Sequence, residues 1–409
     1  MSVDLSPSPS PPPPLLPRVR ALDGIRGLAA VVVVVHHTFL VSPLLANPYQ
    51  NPYDVRPGTI AWWATYTPLH LFWDGTEAVF VFFVLSGFVL SLPLARTVHR
   101  SPREWSTYYQ RRLVRLYVPV WAAIVLSFGW TLLVPRHGIA RGSWWMNDFN
   151  SQNFGLFDML RDGGLLRGQL GATNTVLWSL RWEVVFSLLL PLVVIVGRVG
   201  SRFWLIKLAT LFGMSAWGAH SSRNAMLYLP MFFAGSVLAF ERNRIARVTT
   251  SNSYRAHSRA IRRVTTLFTV LLLSSYWPVF ASHRWALWSG YLAAVARGLE
   301  VCGACLLICI ALQAQSRKRV LESRPAQWLG SRSFSLYLVH EPIMASITLL
   351  LGGRPRLWLL LPCVLLASLL AAECFYRAIE RPSLRFAAAV GRRGVERVRV
   401  HMEPVQRCA

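Results

Sequence analysis

Apolar runs of about 20 residues recur along the chain, separated by shorter polar segments rich in arginine. That is the length an α-helix needs to cross the hydrocarbon core of a bilayer. Windows of that size predict ten helices, at 25–46, 76–95, 113–134, 176–197, 203–219, 225–240, 264–281, 286–313, 333–351 and 357–380. The expected fold is an all-α integral membrane protein, a bundle of about ten transmembrane helices. A segment at about 135–175, rich in Gly, Asn, Asp and Trp, is the longest predicted to face outward, and it is long enough to fold over that face.

The polar segments set the orientation. With the N-terminus placed in the cytoplasm, 30 of the 43 Lys and Arg fall in segments facing inward and 9 in segments facing outward. The remaining 4 (Arg26, Arg181, Arg297 and Arg377) lie within spans. This alternation is what the positive-inside rule requires, so both termini are expected in the cytoplasm and the chain in the plasma membrane. The net charge of +25 forms no single stripe or tail; it points to a lipid bilayer as partner and to no nucleic acid. Residues 1–20 are dense in proline and lack the basic start and apolar core of a signal peptide, so an extended, disordered tail is expected. A membrane domain at 21–383 and a basic cytoplasmic tail at 384–409 complete the predicted organisation. Cys302, Cys305 and Cys309 share one span at helical spacing; with no second half of a CxxC pair, they read as packing residues rather than metal ligands, and no metal is expected.

Ionisable groups inside spans are costly and usually face a partner or a cavity. Arg297 with Glu300, and Glu373 with Arg377, stand at helical spacing and can neutralise each other. Arg26 and His37 cannot. Eleven residues apart in LDGIRGLAAVVVVVHHTFL, they return to within about 20° of the same helix face, about 16 Å apart along the axis. Arg26 sits at the cytoplasmic end and His37 near mid-membrane, whereas His36 faces elsewhere and reads as packing. An arginine can meet an anionic group and an imidazole can move a proton near neutral pH; a hydrogen-bonded structural histidine is the plain alternative.

Other spans add to this pair. Glu77 opens the second span, and Ser86-Gly87 lie about two and a half turns deeper, suited to helix packing. Arg112 and Arg115, three apart at the start of the third, could clamp phosphates or merely snorkel to the surface. In the fourth, Arg181 and Glu183 do not face each other, so each needs a partner elsewhere. The ninth carries Tyr337, His340 and Glu341. Together they suggest a reaction site open to both sides.

With these residues named, the chain resembles the membrane-bound acyltransferase family 3, whose members O-acylate sugars, polysaccharides and macrolides. The resemblance runs from Leu22 to Pro382. It rests on LDGIRG followed by His37, FFVLSGF with Glu77 upstream, and the arginine pair of RLVR. Trp178-Ser179-Leu180 with Glu183, then SLYLVH ending at His340, and Glu380-Arg381-Pro382 follow in family order. The resemblance implies a cytoplasmic acyl-CoA donor, most often acetyl-CoA, with no bound cofactor, and a carbohydrate or glycosylated metabolite as acceptor. It implies His37, Arg26 and Glu77 as catalytic, with His37 a general base or an acyl carrier, and Arg112 and Arg115 as acyl-CoA-binding. Ser86, Gly87, Trp178, Ser179, Glu183, Tyr337 and His340 would bind substrate or support the site. Some relatives carry a hydrolase-like domain after the last helix, which the short basic tail does not predict here.

A proton-coupled transporter would also need intramembrane carboxylates and histidines. Against it, no matched pair of Gly/Pro-broken helices stands in two halves of the chain. A scaffold or sensor explains the alternating charge but not Arg26 and His37 on one face.

Overall fold

The computed structural model describes residues 19–51, 55–95, 101–250, 258–281, 289–313 and 319–390; most of both predicted tails lies outside them. The described residues are helical with no strand. Ten helices correspond to the ten apolar segments: α1 (Arg20–Leu40), α2 (Gly75–Ser91), α3 (Pro102–Leu133), α4 (Leu177–Arg198), α5 (Trp204–His220), α6 (Asn224–Thr250), α7 (Ser258–Leu273), α8 (Ser289–Gln313), α9 (Arg324–Leu350) and α10 (Leu357–Phe375). By length and composition seven can cross a membrane: α1, α3, α4, α6, α8, α9 and α10. The other three, α2, α5 and α7, have 17, 17 and 16 residues.

The ends of the helices follow local chemistry rather than hydropathy. Helix α1 stops six residues short of its predicted end, where Ser42-Pro43 begins a separate short helix, Pro43–Gln50. Helix α3 starts eleven residues early because Ser101 and Glu104 form a reciprocal capping box over Pro102. The segment predicted at 264–281 is interrupted after Leu273, and a short helix follows at Tyr276–Ala281. Helix α10 continues through a π-turn at Tyr376–Glu380 as far as Val390, past the predicted domain end at 383.

Helix α1 lies at the centre. Ala21, Leu22, Ile25, Ala29 and Val33 join a core formed largely by α2, α4, α6 and α8. Ala30, Val34 and Leu40 join a second core with α3, α9 and α10. Two crossings are glycine contacts. A Cβ on Gly27 of α1 would lie 2.6 Å from the Gly330 nitrogen of α9, and one on Gly87 of α2 only 1.9 Å from the Phe232 carbonyl oxygen of α6. Any side chain there would push the helices apart.

The segment between α3 and α4 packs down along α3, with Trp145 and Met146 buried and Leu156, Phe157 and Leu160 exposed on its outer side. Its helices Trp144–Phe149 and Leu156–Gly164 are pinned from below. Tyr117 donates to the Gly164 carbonyl (3.2 Å) and Arg181 to the Leu165 carbonyl (3.2 Å). Tyr117 stands 16 residues before the end of α3, so the segment descends about 24 Å along that helix. Buried Asp162 ties its return, accepting from Thr173 N and Thr173 Oγ1, both at 2.8 Å.

Candidate active site

Arg26 and His37 both face α9, as their spacing predicts. His37 Nδ1 lies 2.8 Å from His340 Nε2, and Arg26 opens into a cavity whose wall includes Gly330, Ser333, Phe334 and Tyr337 of α9. His36 is turned away and buried, its Nδ1 2.9 Å from the Trp73 carbonyl. It packs, as expected.

The cavity, about 270 Å³, lies among α1, α2, α3, α4, α9 and α10. Arg26, Arg112 and Arg115 line it together with Asp23, Ser86, Ser179, Glu183, Tyr337 and Glu380. Two predicted groups from distant parts of the chain therefore meet: the arginine of α1 and the arginine pair of α3. The three guanidinia are not equivalent. Arg112 is spent internally, 2.5 Å from Glu183 Oε1 and 3.0 Å from Ser187 Oγ. Arg26 and Arg115 have no hydrogen-bond or ion-pair partner among the described residues. Glu380, aimed inward by the π-turn, accepts a hydrogen bond from Ser335.

At its deep end the cavity stops at a hydroxyl pair, Ser179 Oγ and Tyr337 Oη, 2.7 Å apart. Beyond the Tyr337 ring lies His340, ring centroids 6.1 Å apart, and beyond it His37. His37 does not line the cavity. A site open to both sides, as the sequence suggests, would need one lumen from Arg26 to His37, and Tyr337 closes it. On its other side His37 stacks on Trp145 of the descending segment (5.2 Å between centroids, 14° between planes). His340 has no exposed surface, whereas His37 is only partly buried.

The polar groups around the histidines are held by α9 and α4. Pro342 has no N–H, so the Leu338 carbonyl one turn earlier loses its helical partner; Asn174 Nδ2 donates to it instead (2.7 Å). Helix α4 begins without a capping side chain of its own, and Glu341 of α9 accepts from Thr175 N at 2.6 Å and Val176 N at 3.4 Å. Sequence patterns missed Asn174 and Trp145. An asparagine 164 residues from the carbonyl it satisfies leaves no local signal, though Pro342 shows that some carbonyl on α9 needs a donor.

Other predicted site residues are placed elsewhere. Glu77 is 3% exposed and joins neither the cavity nor the histidines. Its Oε1 lies 2.6 Å from Arg297 Nη1, which also lies 2.9 Å from Glu300 Oε2 and has its guanidinium 3.3 Å from the Tyr276 ring centroid. The expected Arg297–Glu300 pair is thus a triad, with Glu77 as its third member. Gly87 is at the α2–α6 crossing, and Trp178 packs edge-on against Phe83. Neither lines the cavity. Arg181 and Glu183 each find a partner elsewhere, as predicted, and Glu373 pairs with both Arg377 (2.5 Å) and Arg332 (2.8 Å).

Comparison with known proteins bears on this site as a whole. A family profile described as an acyltransferase domain matches residues 19–377. The peptidoglycan O-acetyltransferase OatA of Listeria monocytogenes is 23% identical over 89% of this chain and 55% of its own length. The O-acetyltransferase OatA of Staphylococcus aureus is 25% identical over 88% of this chain and 56% of its own. The acyltransferase clz18 of Cochliobolus lunatus is 23% identical over 81% of this chain and 83% of its own. The chain spans little more than half the length of the two OatA proteins. No solved structure matches the fold. The family profile, covering most of the chain, makes it a member of the acyltransferase 3 family.

Proposed function

We propose that the protein is a membrane-bound O-acyltransferase that moves an acyl group, acetyl in the first instance, from cytoplasmic acyl-CoA to a hydroxyl of a carbohydrate or glycosylated metabolite. The observation that carries this reading is a pair of guanidinia, Arg26 and Arg115, left without partners in one cavity leading toward His340 and His37. Three guanidinia gather in this cavity and two of them have no hydrogen-bonded carboxylate, so their donors suit an anionic ligand such as the nucleotide end of a CoA thioester. Arg112, held by Glu183, would position the other two more than bind. The name of the Listeria monocytogenes relative, a peptidoglycan O-acetyltransferase, supports a polysaccharide acceptor. The alternating arginines support ten crossings in the plasma membrane with both termini cytoplasmic, the cavity then opening inward.

In the reaction His37 takes the proton of the acceptor hydroxyl as its oxygen attacks the thioester carbonyl. The new C–O bond forms, the C–S bond breaks, and the leaving thiolate recovers the proton from His37. For the thioester to reach that ring, Tyr337 must turn aside from Ser179. Glu77, bound to Arg297, serves in this reading to hold α2 against α8.

The test is release of free CoA thiol from acetyl-CoA by the purified protein, with a soluble peptidoglycan glycan fragment as acceptor. His37→Ala and Arg26→Ala should abolish it while leaving the protein monodisperse in detergent. Full activity in either variant, or no thiol release from wild type beside proton-driven uptake in proteoliposomes, would sink the assignment.

A further inference from the structure

The two rings of the histidine pair have different surroundings, and the difference fixes where their hydrogens are. His340 Nδ1 lies 3.0 Å from the Leu336 carbonyl oxygen, one turn back along α9. A carbonyl oxygen accepts and cannot donate, so Nδ1 carries the hydrogen. A neutral imidazole protonated at Nδ1 has a bare Nε2, and that is the atom 2.8 Å from His37 Nδ1. The contact therefore has one polarity, with His37 Nδ1–H donating to His340 Nε2.

The ring geometry agrees. The planes are 7° apart and the centroids 5.1 Å apart, with 2.8 Å between the facing nitrogens. Those separations are what two imidazoles give when they meet edge to edge in one plane, and both the N–H and the lone pair lie in that plane. Among the described residues His37 has no other hydrogen-bond partner. With its one hydrogen on Nδ1, its Nε2 has a free lone pair.

We infer that His340 is a positioning residue that holds His37 as the Nδ1–H tautomer, so that His37 Nε2 is the atom that accepts the proton of the acceptor hydroxyl. This rests on the acyltransfer reading above and specifies it. The logic is that of a base oriented by a third group, with the Leu336 carbonyl fixing His340 and His340 fixing His37. On deprotonation of the hydroxyl, Nε2 gains the proton and His37 becomes an imidazolium still donating from Nδ1; Nε2 then returns that proton to the departing thiolate. His340 keeps its proton count throughout.

Two substitutions separate an acceptor from a space-filler. His340→Gln offers an amide oxygen to His37 Nδ1–H, whereas His340→Leu fills the space and accepts nothing. Nitrogen NMR of the full chain labelled with [15N]histidine, with His37 assigned by difference from His37→Ala, reads the tautomer without any turnover. Hydrogen on His37 Nδ1 is expected in wild type and His340→Gln, and loss of that preference in His340→Leu. In the acetyl-CoA assay His340→Leu should lower kcat about 10³- to 10⁴-fold, the scale seen when a catalytic histidine is left in the wrong tautomer. KM for acetyl-CoA should stay within about twofold, and His340→Gln should recover to within about tenfold of wild type, a rescue that mere packing would not give. Hydrogen on Nε2 in wild type, or full kcat in His340→Leu, overturns the inference. An Nδ1–H signal lost in His340→Leu beside undiminished transfer by His37→Ala also overturns it, and traces the failure to the base assignment rather than to the tautomer.

Discussion

Arg26 and Arg115 on one side of α2, and Arg297 on the other, are guanidinia of the same bundle in opposite surroundings, Arg297 largely buried, Arg26 half-buried and Arg115 exposed. Arg297 is saturated. Glu77 from α2 and Glu300 from its own helix hold it at 2.6 and 2.9 Å, and the Tyr276 ring covers its face. Arg26 and Arg115 line a cavity and bond to nothing described. A guanidinium bonded to two carboxylates ties helices together, whereas one that no carboxylate bonds directly keeps its donors free. Arg112 is intermediate, lining the cavity yet paired with Glu183. Under the proposed function, saturation and depth together separate the structural arginine from those assigned to the ligand.

The largest effect should come from breaking the saturated cluster. Arg297→Leu leaves two buried carboxylates without their shared cation, and losing one member of a buried ion pair costs about 3–5 kcal/mol. Yield and thermal stability in detergent should fall sharply, with transfer lost only because the fold is lost. The triple variant Glu77→Leu, Arg297→Leu, Glu300→Leu removes every charge together and should recover most of that stability, since apolar replacement of a complete buried triad is often neutral. If the recovered triple variant transfers acetyl at the wild-type rate, Glu77 has no part in the chemistry. If it folds and is inactive, Glu77 takes part in the chemistry.

That residue also marks the limit of what the sequence reveals. The shared face of Arg26 and His37 was legible because both lie on one helix, where eleven residues restore the direction by geometry alone. The Arg297–Glu300 pair was legible for the same reason. Glu77 was not, since its partner is 220 residues away and nothing local records which of two helix faces will meet α8. The barrier between cavity and histidines was equally hidden. Tyr337 and His340 are three apart on α9, but that Tyr337 closes the cavity depends on Ser179 of α4 meeting its hydroxyl. The ten apolar segments read well because hydropathy is a property of the segment itself; helix ends read badly where a cap such as Ser101–Glu104 extends a helix through polar residues.

The next effect is smaller and falls on binding. Arg115→Gln removes a charge that holds no part of the fold, so thermal stability should stay within about a degree of wild type. A charge-assisted hydrogen bond contributes about 1.5–3 kcal/mol, so KM for acetyl-CoA should rise roughly 10- to 100-fold with kcat little changed. Raising the ionic strength should weaken wild-type binding more than that of the variant. Arg112→Gln makes the comparison sharper. It strands Glu183 and should therefore lower both stability and affinity, giving the mixed result its half-saturated position implies. A stability loss in Arg115→Gln as large as that in Arg112→Gln would mean that Arg115 has a structural partner after all.

The smallest expected effect applies the same rule to a single carbonyl. Pro342 deprives Leu338 of its helical N–H, and Asn174 supplies the missing hydrogen from outside α9. Asn174→Ala should strand that buried oxygen at a cost of about 1–3 kcal/mol, read as a modest loss of thermal stability. Pro342→Ala alone should be nearly neutral, because the restored N–H and the Asn174 amide can share the two lone pairs of one oxygen. Combined, the two changes should return close to wild-type stability, the helix then satisfying its own carbonyl. Additive losses in the double variant would show that Asn174 matters for something besides that oxygen. The natural suspect is the start of α4, where the same side chain accepts from Val176 N at 3.3 Å beside the Glu341 carboxylate.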